Sequence, residues 1–261
     1  MSFYMVKRHA RLAMVCVTIW LVPVGAWAQA EHGWVSGNLV GVVGTTNSFQ
    51  QNVAYPFRFE MFTGSVAYDI ATRPSFDIGG GVAWTPHAGV GIAVSRRSAS
   101  AQASVAFSVP DVLRYNLFGT ATTVTTDSLP HTETAVHFEA AYFINLKRGR
   151  IRLFAGPSMI RVHQEVVTDV QYTESTNATS HTIGVTGVSH GQAADTAWGF
   201  NVGTDGSLYI SRHFGVGAMM RYSRGTATIT NVLQTAGTGR EVTQDLTVGG
   251  LALGGGLRVR F

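Results

Sequence analysis

Cysteine and proline are scarce in this chain, and so is charge. Of 261 residues one is cysteine (Cys16), 7 are proline and 13% are charged. So little proline excludes a proline-rich disordered chain, and the 30 glycines follow no collagen-like period. Beyond residue 30 the apolar residues come in short alternating pieces rather than helix-sized blocks, which excludes a helical membrane protein and argues against a helical bundle. A phosphate-binding loop is missing too. Gly79-Gly80-Gly81 and Gly254-Gly255-Gly256 are the densest glycine runs, and neither is followed by a helical pattern or a Gly-Lys-Ser/Thr element. Both read as parts of strands, where glycine relieves crowding and permits bending.

The first 30 residues form a unit of their own. Lys7, Arg8 and Arg11 make a basic start, and an apolar run from Leu12 to Ala26 follows. Next come two small-x-small sites, Ala26-Trp27-Ala28 and Ala28-Gln29-Ala30. This order is that of a secretory signal peptide cleaved after Ala28 or Ala30. A run interrupted by Pro23 is short for a bilayer of ~30 Å, so an uncleaved anchor is disfavoured. Cleavage removes Cys16, and with it any disulfide, thiol nucleophile or cysteine metal ligand. It also removes three of the 19 basic residues and none of the 15 acidic ones, so the net charge drops from +4 to +1. Nucleic acid loses its main support as a partner.

From Glu31 onward the sequence has period two, the side-chain period of a strand. Leu251, Leu253, Leu257, Val259 and Phe261 share one parity, against Ala252, Gly254, Gly256, Arg258 and Arg260. Phe214, Val216, Ala218, Met220 and Tyr222 alternate with Gly215, Gly217, Met219, Arg221 and Ser223, and Val136, Phe138, Ala140, Tyr142 and Ile144 with His137, Glu139, Ala141 and Phe143. A soluble sandwich alternates as well, but its second face meets water and carries Lys, Glu and Thr. Here that face is mostly Gly, Ala and Ser with isolated charges, and after the signal segment the only lysine is Lys147. Small residues and pairable charges suit the inside of a narrow barrel whose outside meets lipid.

Connections give the orientation. Those at Thr85-Pro86-His87, Asn145 to Arg150 and Ser211-Arg212-His213 are short, whereas residues 44–60, 108–131, 168–193 and 225–244 read as long polar external loops, including the Thr-rich stretch Thr120 to Thr134. Short turns on one side and long loops on the other are the asymmetry of bacterial outer-membrane barrels, with the short turns periplasmic. Trp84, Tyr142, Tyr209, Phe214 and Phe261 fall at the short-turn end, as an interfacial aromatic girdle would.

On these features the chain resembles the bacterial outer-membrane β-barrel domain family, the small OmpA/OmpX/OmpW-like barrels. The signal peptide and the alternating strands carry the resemblance, with the closing Gly256, Val259 and Phe261, which is similar to the C-terminal signal read by the barrel assembly machinery. A polar residue expected two positions before that glycine is Gly254 here. Gly156-Pro157-Ser158 followed by Gln164 is also similar to members of this group. The resemblance implies an outer-membrane location in a Gram-negative bacterium, a surrounding of outer-membrane lipid and lipopolysaccharide, and transient handling by the assembly machinery and periplasmic chaperones. It implies no chemistry.

The expected fold is all-β, a closed antiparallel up-and-down transmembrane barrel over residues 31–261. Nine candidate strands cannot run up and down with both ends periplasmic. Phe62, Val66, Tyr68 and Ile70 share parity with Phe76, Ile78, Val82 and Trp84, so two candidates merge into one strand bent at Pro74, giving eight. The alternative, a turn at 71–75 with a further strand in 98–131, gives ten.

Residues able to carry chemistry fall on the inward face. Glu133, His137 and Glu139 share one face of a strand with His131 just beyond, a set that could hold a divalent metal or act as acid and base. The simpler reading is a barrel interior in which Glu139, Asp205, Arg221 and Arg258 pair, Arg152 being a further partner, since unpaired buried charge is costly. Lipid A deacylases need a His-x-Ser pair, which the sequence lacks, and the nearest approach to an omptin-like site is His190 with Asp195 in a polar segment. The expectation is therefore a barrel with no catalytic, cofactor or metal site, a side-chain-filled lumen and a structural or surface-interaction role, its external ligand unknown. The alternative is a narrow pore for ions or small solutes.

Overall fold

The computed structural model describes residues 32–43, 48–121, 124–177, 180–235 and 238–261. The signal-peptide reading falls on residues 1–30, outside the described ones. The strands are β1 (Gly33–Val43), β2 (Ser48–Phe57), β3 (Glu60–Ile70), β4 (Ser75–Ala83), β5 (Ala88–Pro110), β6 (Phe118–Thr120), β7 (Val124–Leu146), β8 (Gly149–Thr176), β9 (His181–Tyr209), β10 (Phe214–Thr235) and β11 (Thr238–Arg260). Eight of them close an antiparallel ring in the order β1, β4, β5, β7, β8, β9, β10, β11. The seam runs from Trp34 opposite Arg260 to Val43 opposite Leu251.

β3 and β4 are two halves of one composite strand, because both pair with β5. Ile70 faces Ala101 and Ser75 faces Arg97, so one extra residue is accommodated on the β3–β4 side. Pro74 lies in that bulge, where its missing N–H breaks no ladder bond. The eight-strand count follows, and the ten-strand alternative falls. β1 and β2 follow one another along β4 and β3 in the same way, and β2 turns into β3 through Arg58 and Phe59, both at positive φ (54° and 72°). That is the backbone of a two-residue hairpin turn whose twist matches its strands.

Long external loops were expected, and here the structure differs. Residues 48–57 are strand, β7 begins at Val124 within the Thr-rich stretch, β8 runs to Thr176 with β9 starting at His181, and β10 runs to Thr235 with β11 starting at Thr238. The misreading has a physical cause. Thr is polar in composition but β-branched, and strand-forming where it alternates with an apolar partner. In Thr226-Ala227-Thr228-Ile229-Thr230 the threonines are exposed while Ala227 and Ile229 are buried. β9 has 29 residues, whereas a tilted strand needs only about 9–11 to cross a bilayer. The strands therefore continue well beyond the lipid.

The burial pattern inverts along the same strands. Near the short turns the outward side chains are apolar and exposed, among them Ile78, Val94, Phe200 and Leu257. One outward row across β4, β5, β7, β8 and β9 reads Ile78, Val94, Val136, Met159, Trp198, and the next reads Phe76, Arg96, Thr134, Arg161, Thr196. The row beyond, from β5 to β9, is Ser98, Thr132, His163, Ala194. The lipid-facing surface thus ends within two rows. Past that edge the inward side chains become apolar and enclose a core that includes Phe62, Val66, Tyr68, Val105, Ile160, Val166, Ile229 and Leu246. The same alternation serves two solvents: lipid outside the lower half, water outside the upper half.

Candidate functional site in the barrel lumen

At the level of the lipid belt the interior is charged. β4, β7 and β9 bring in Asp77, Glu139 and Asp205, and β8, β10 and β11 bring in Arg152, Arg221 and Arg258, all 5% exposed or less. Arg221 Nη2 donates to Glu139 Oε1 at 2.6 Å, and its Nη1 bonds Asp77. Arg258 Nε donates to Asp205 Oδ1 at 2.9 Å. Arg152 bridges the two halves, with 3.3 Å from Nη1 to Glu139 Oε2 and 3.3 Å from Nη2 to Asp205 Oδ2. Asn38 Nδ2 donates to the free oxygen of Asp77 at 3.1 Å. Three carboxylates thus meet three guanidiniums in a closed, neutral set. Its arginines also lie over rings: Arg152 is 5.4 Å from the centre of Trp34 and 5.0 Å from that of Phe154, with Arg221 5.2 Å from Phe154.

The four expected lumen charges, Glu139, Asp205, Arg221 and Arg258, lie in this network. Sequence reasoning missed Asp77, although it alternates with Phe76 and Ile78 and is the one acid on the Ser and Gly face of β4. Glu133, His137 and Glu139 do share the inward face, but each has different partners. His131 Nδ1 bonds Gln164 Oε1 at 2.6 Å and its Nε2 bonds Glu133 Oε1 at 2.9 Å, while His137 bonds Ser158 Oγ at 2.7 Å and Ser95 Oγ at 3.2 Å. Further out, Asp195 accepts the Thr228 N–H at 2.7 Å and His190 is exposed.

Below the network Trp34, Ala83, Ala141 and Phe143 pack together at the short-turn end. Trp84, Tyr142, Phe214 and Phe261 point outward at that end, 52–65% exposed. Tyr209 does not join them. It has the parity of the buried Asp205 and Ser207, lines a lumen cavity of about 20 Å³ with Arg258, and its ring centre lies 3.8 Å from the Arg260 guanidinium. The girdle reading weighed position along the strand and overlooked parity. Gly256, Val259 and Phe261 lie along the closing seam, opposite Asn38, Val35 and the start of β1; Phe261 N donates to Gly33 O at 3.1 Å and Phe261 O accepts from Gly33 N at 2.8 Å.

No family model and no curated protein matches this sequence. Solved structures do. The outer membrane protein OprG from Pseudomonas aeruginosa superposes with a TM-score of 0.54 at 8% identity, over 89% of this chain and 97% of that one. This chain has the fold of an outer-membrane β-barrel. The outer membrane protease OmpT from Escherichia coli matches at a TM-score of 0.48 and 7% identity, covering 92% of this chain and 99% of that one. Ail, the attachment invasion locus protein of Yersinia pestis, matches at 0.36 and 10%, covering 88% and 99%. The exposed apolar belt near the short turns is the lipid-facing surface of that fold.

Proposed function

We propose that the barrel is a sealed, non-enzymatic outer-membrane protein whose long distal strands serve a structural or surface-interaction role. One observation carries this reading: side chains occupy the interior both at the lipid level and in the extension above it, with a space of about 440 Å³ opening toward the tip among Arg58, Tyr172, Glu174 and Gln234. The neutral charge network fills the lipid-level lumen, and the apolar core fills the extension above it. An eight-strand barrel is only just wide enough to be filled by side chains, and the cavities adjoining the network measure about 50 and 20 Å³. Each network carboxylate is bonded to an arginine, which suits a counter-ion better than a general acid or base. Gly256, Val259 and Phe261 act in this reading as the signal read by the assembly machinery, with periplasmic chaperones as earlier partners.

Single-channel conductance of the refolded barrel in a planar bilayer tests the proposal, with an unboiled gel shift as the control for folding. A folded barrel that gives no discrete steps is the expected result. Reproducible steps altered by Glu139→Gln or Arg258→Gln would replace it with the narrow-pore reading.

A further inference from the structure

Just above the charge network lies a cavity of about 50 Å³, lined from β1, β4, β5, β7, β8, β10 and β11. A site needs only about 10–15 Å³ to admit one water-sized group, so there is room here for several. Arg97 lines this cavity. It is 5% exposed, and its Nε is buried without a hydrogen-bond partner. No ion pair reaches it among the described residues, in contrast to Arg152, Arg221 and Arg258 below it.

Two carboxylates also line the cavity, and both are committed elsewhere. Asp77 holds Arg221 and Asn38. Glu133 stands directly across the ladder from Arg97, yet it accepts from His131 Nε2. Gln164 holds that histidine in place from the other side. Its amide nitrogen donates to the Glu165 carbonyl at 2.7 Å, so its oxygen faces His131 Nδ1. Both ring nitrogens of His131 are thus held by side-chain hydrogen bonds, one of them to Glu133. Glu133 is engaged by His131, and Arg97 is left buried with its Nε unpartnered and no ion pair of its own among the described residues. Such a group is costly unless something neutralises it.

Other donors converge on the same space. Arg221 Nε is a second buried, unpartnered guanidinium nitrogen on the cavity wall. The Ser95 and Ser223 side chains line it too. We propose that this cavity is a binding site for a small anion carrying one negative charge, of halide or small carboxylate size. Arg97 is its principal ligand, and the Arg221 Nε–H and the serine hydroxyls complete the shell. An arginine fork suits such a ligand, since its donors are fixed in one plane. The site is independent of whether the lumen conducts, because it requires only that the cavity exchange with bulk ions.

Chloride is the probe. The refolded barrel is unfolded in urea at constant ionic strength while chloride replaces gluconate, which is too large for the cavity. Above the dissociation constant, each tenfold rise in chloride should raise the folded-to-unfolded ratio about tenfold. Arg97→Gln should abolish the response, whereas Arg224→Gln, at an exposed outward arginine, should keep it. Should Arg97→Gln fail to fold, crystals of the unaltered protein grown in bromide decide the matter, with an anomalous peak expected within hydrogen-bond reach of Arg97. A flat chloride titration, a response that persists in Arg97→Gln, or an empty bromide map would each overturn the assignment.

Discussion

Arg221 and Glu139 are 82 positions apart in sequence, on non-adjacent strands of the ring, yet Nη2 and Oε1 meet at 2.6 Å inside the lumen. The contact ties one wall of the barrel to another without any backbone ladder between them. Removing one partner of a buried pair typically costs about 3–5 kcal/mol, because the other charge is left stranded. Glu139→Gln and Arg221→Gln should each destabilise by roughly that amount, and the double variant by clearly less than the sum. Urea unfolding of the refolded barrel measures all three. Simple additivity would mean the two residues do not act as a pair.

The closing seam depends on a glycine. A Cβ at Gly256 would be driven into the Gly37 carbonyl oxygen and against Asn38 Cα, both backbone and unable to move aside. A Cβ at Gly206 would meet nothing within 4 Å. Gly256→Ala should therefore yield little heat-modifiable, closed barrel on an unboiled gel, while Gly206→Ala folds like the parent. Equal yields from the two variants would show that the seam has slack.

The distal end is clasped by charge. Arg58 donates to Glu174 through Nη1 and Nη2 at 2.7 and 2.8 Å, and His181 joins that carboxylate at 3.2 Å. Arg58 holds the Glu174 carboxyl below its ordinary range, and the Leu113 N–H does the same for Asp111, helped by Arg114. With both carboxyls depressed in the folded protein, their contribution is complete above the usual carboxylate range near ~4. It is lost as pH falls through the lower folded values. Amide exchange of residues 111–120 and 170–177, corrected for intrinsic rates, should accelerate at pH 3 relative to pH 7. The change should be smaller in Glu174→Gln. Unchanged protection would mean that apolar packing alone holds the tip.

Three tryptophans lie beyond the first 30 residues, and they occupy two environments. Trp84 and Trp198 face outward, 60% and 68% exposed, while Trp34 is 6% exposed inside the lumen. In bilayers of brominated lipid, single-tryptophan variants retaining Trp84 or Trp198 should be quenched strongly and one retaining Trp34 weakly. Quenching of Trp34 alone would turn the barrel inside out. An unquenched Trp198 would lower the upper edge of the lipid belt.

Alternation along the chain determined that strands would form, which parity would face lipid, and that Glu139, Arg221 and Arg258 would point inward, because strand geometry sends successive side chains to opposite faces whatever the neighbours. The two segments around Pro74 do form one composite strand, giving eight, but not on shared parity: the extra residue there turns Phe62 and Tyr68 inward while Phe76 and Ile78 face outward. Which charges meet was a matter for tertiary structure. Register and ring closure put Asp77 beside Arg221 and place Arg152 between Glu139 and Asp205, and register is a property of pairs of strands. The distal extension was hidden for a similar reason. A Thr-rich segment reads as loop until an apolar core forms behind it, and the residues building that core, from Phe62 on β3 to Leu246 on β11, come from nearly the whole length of the chain.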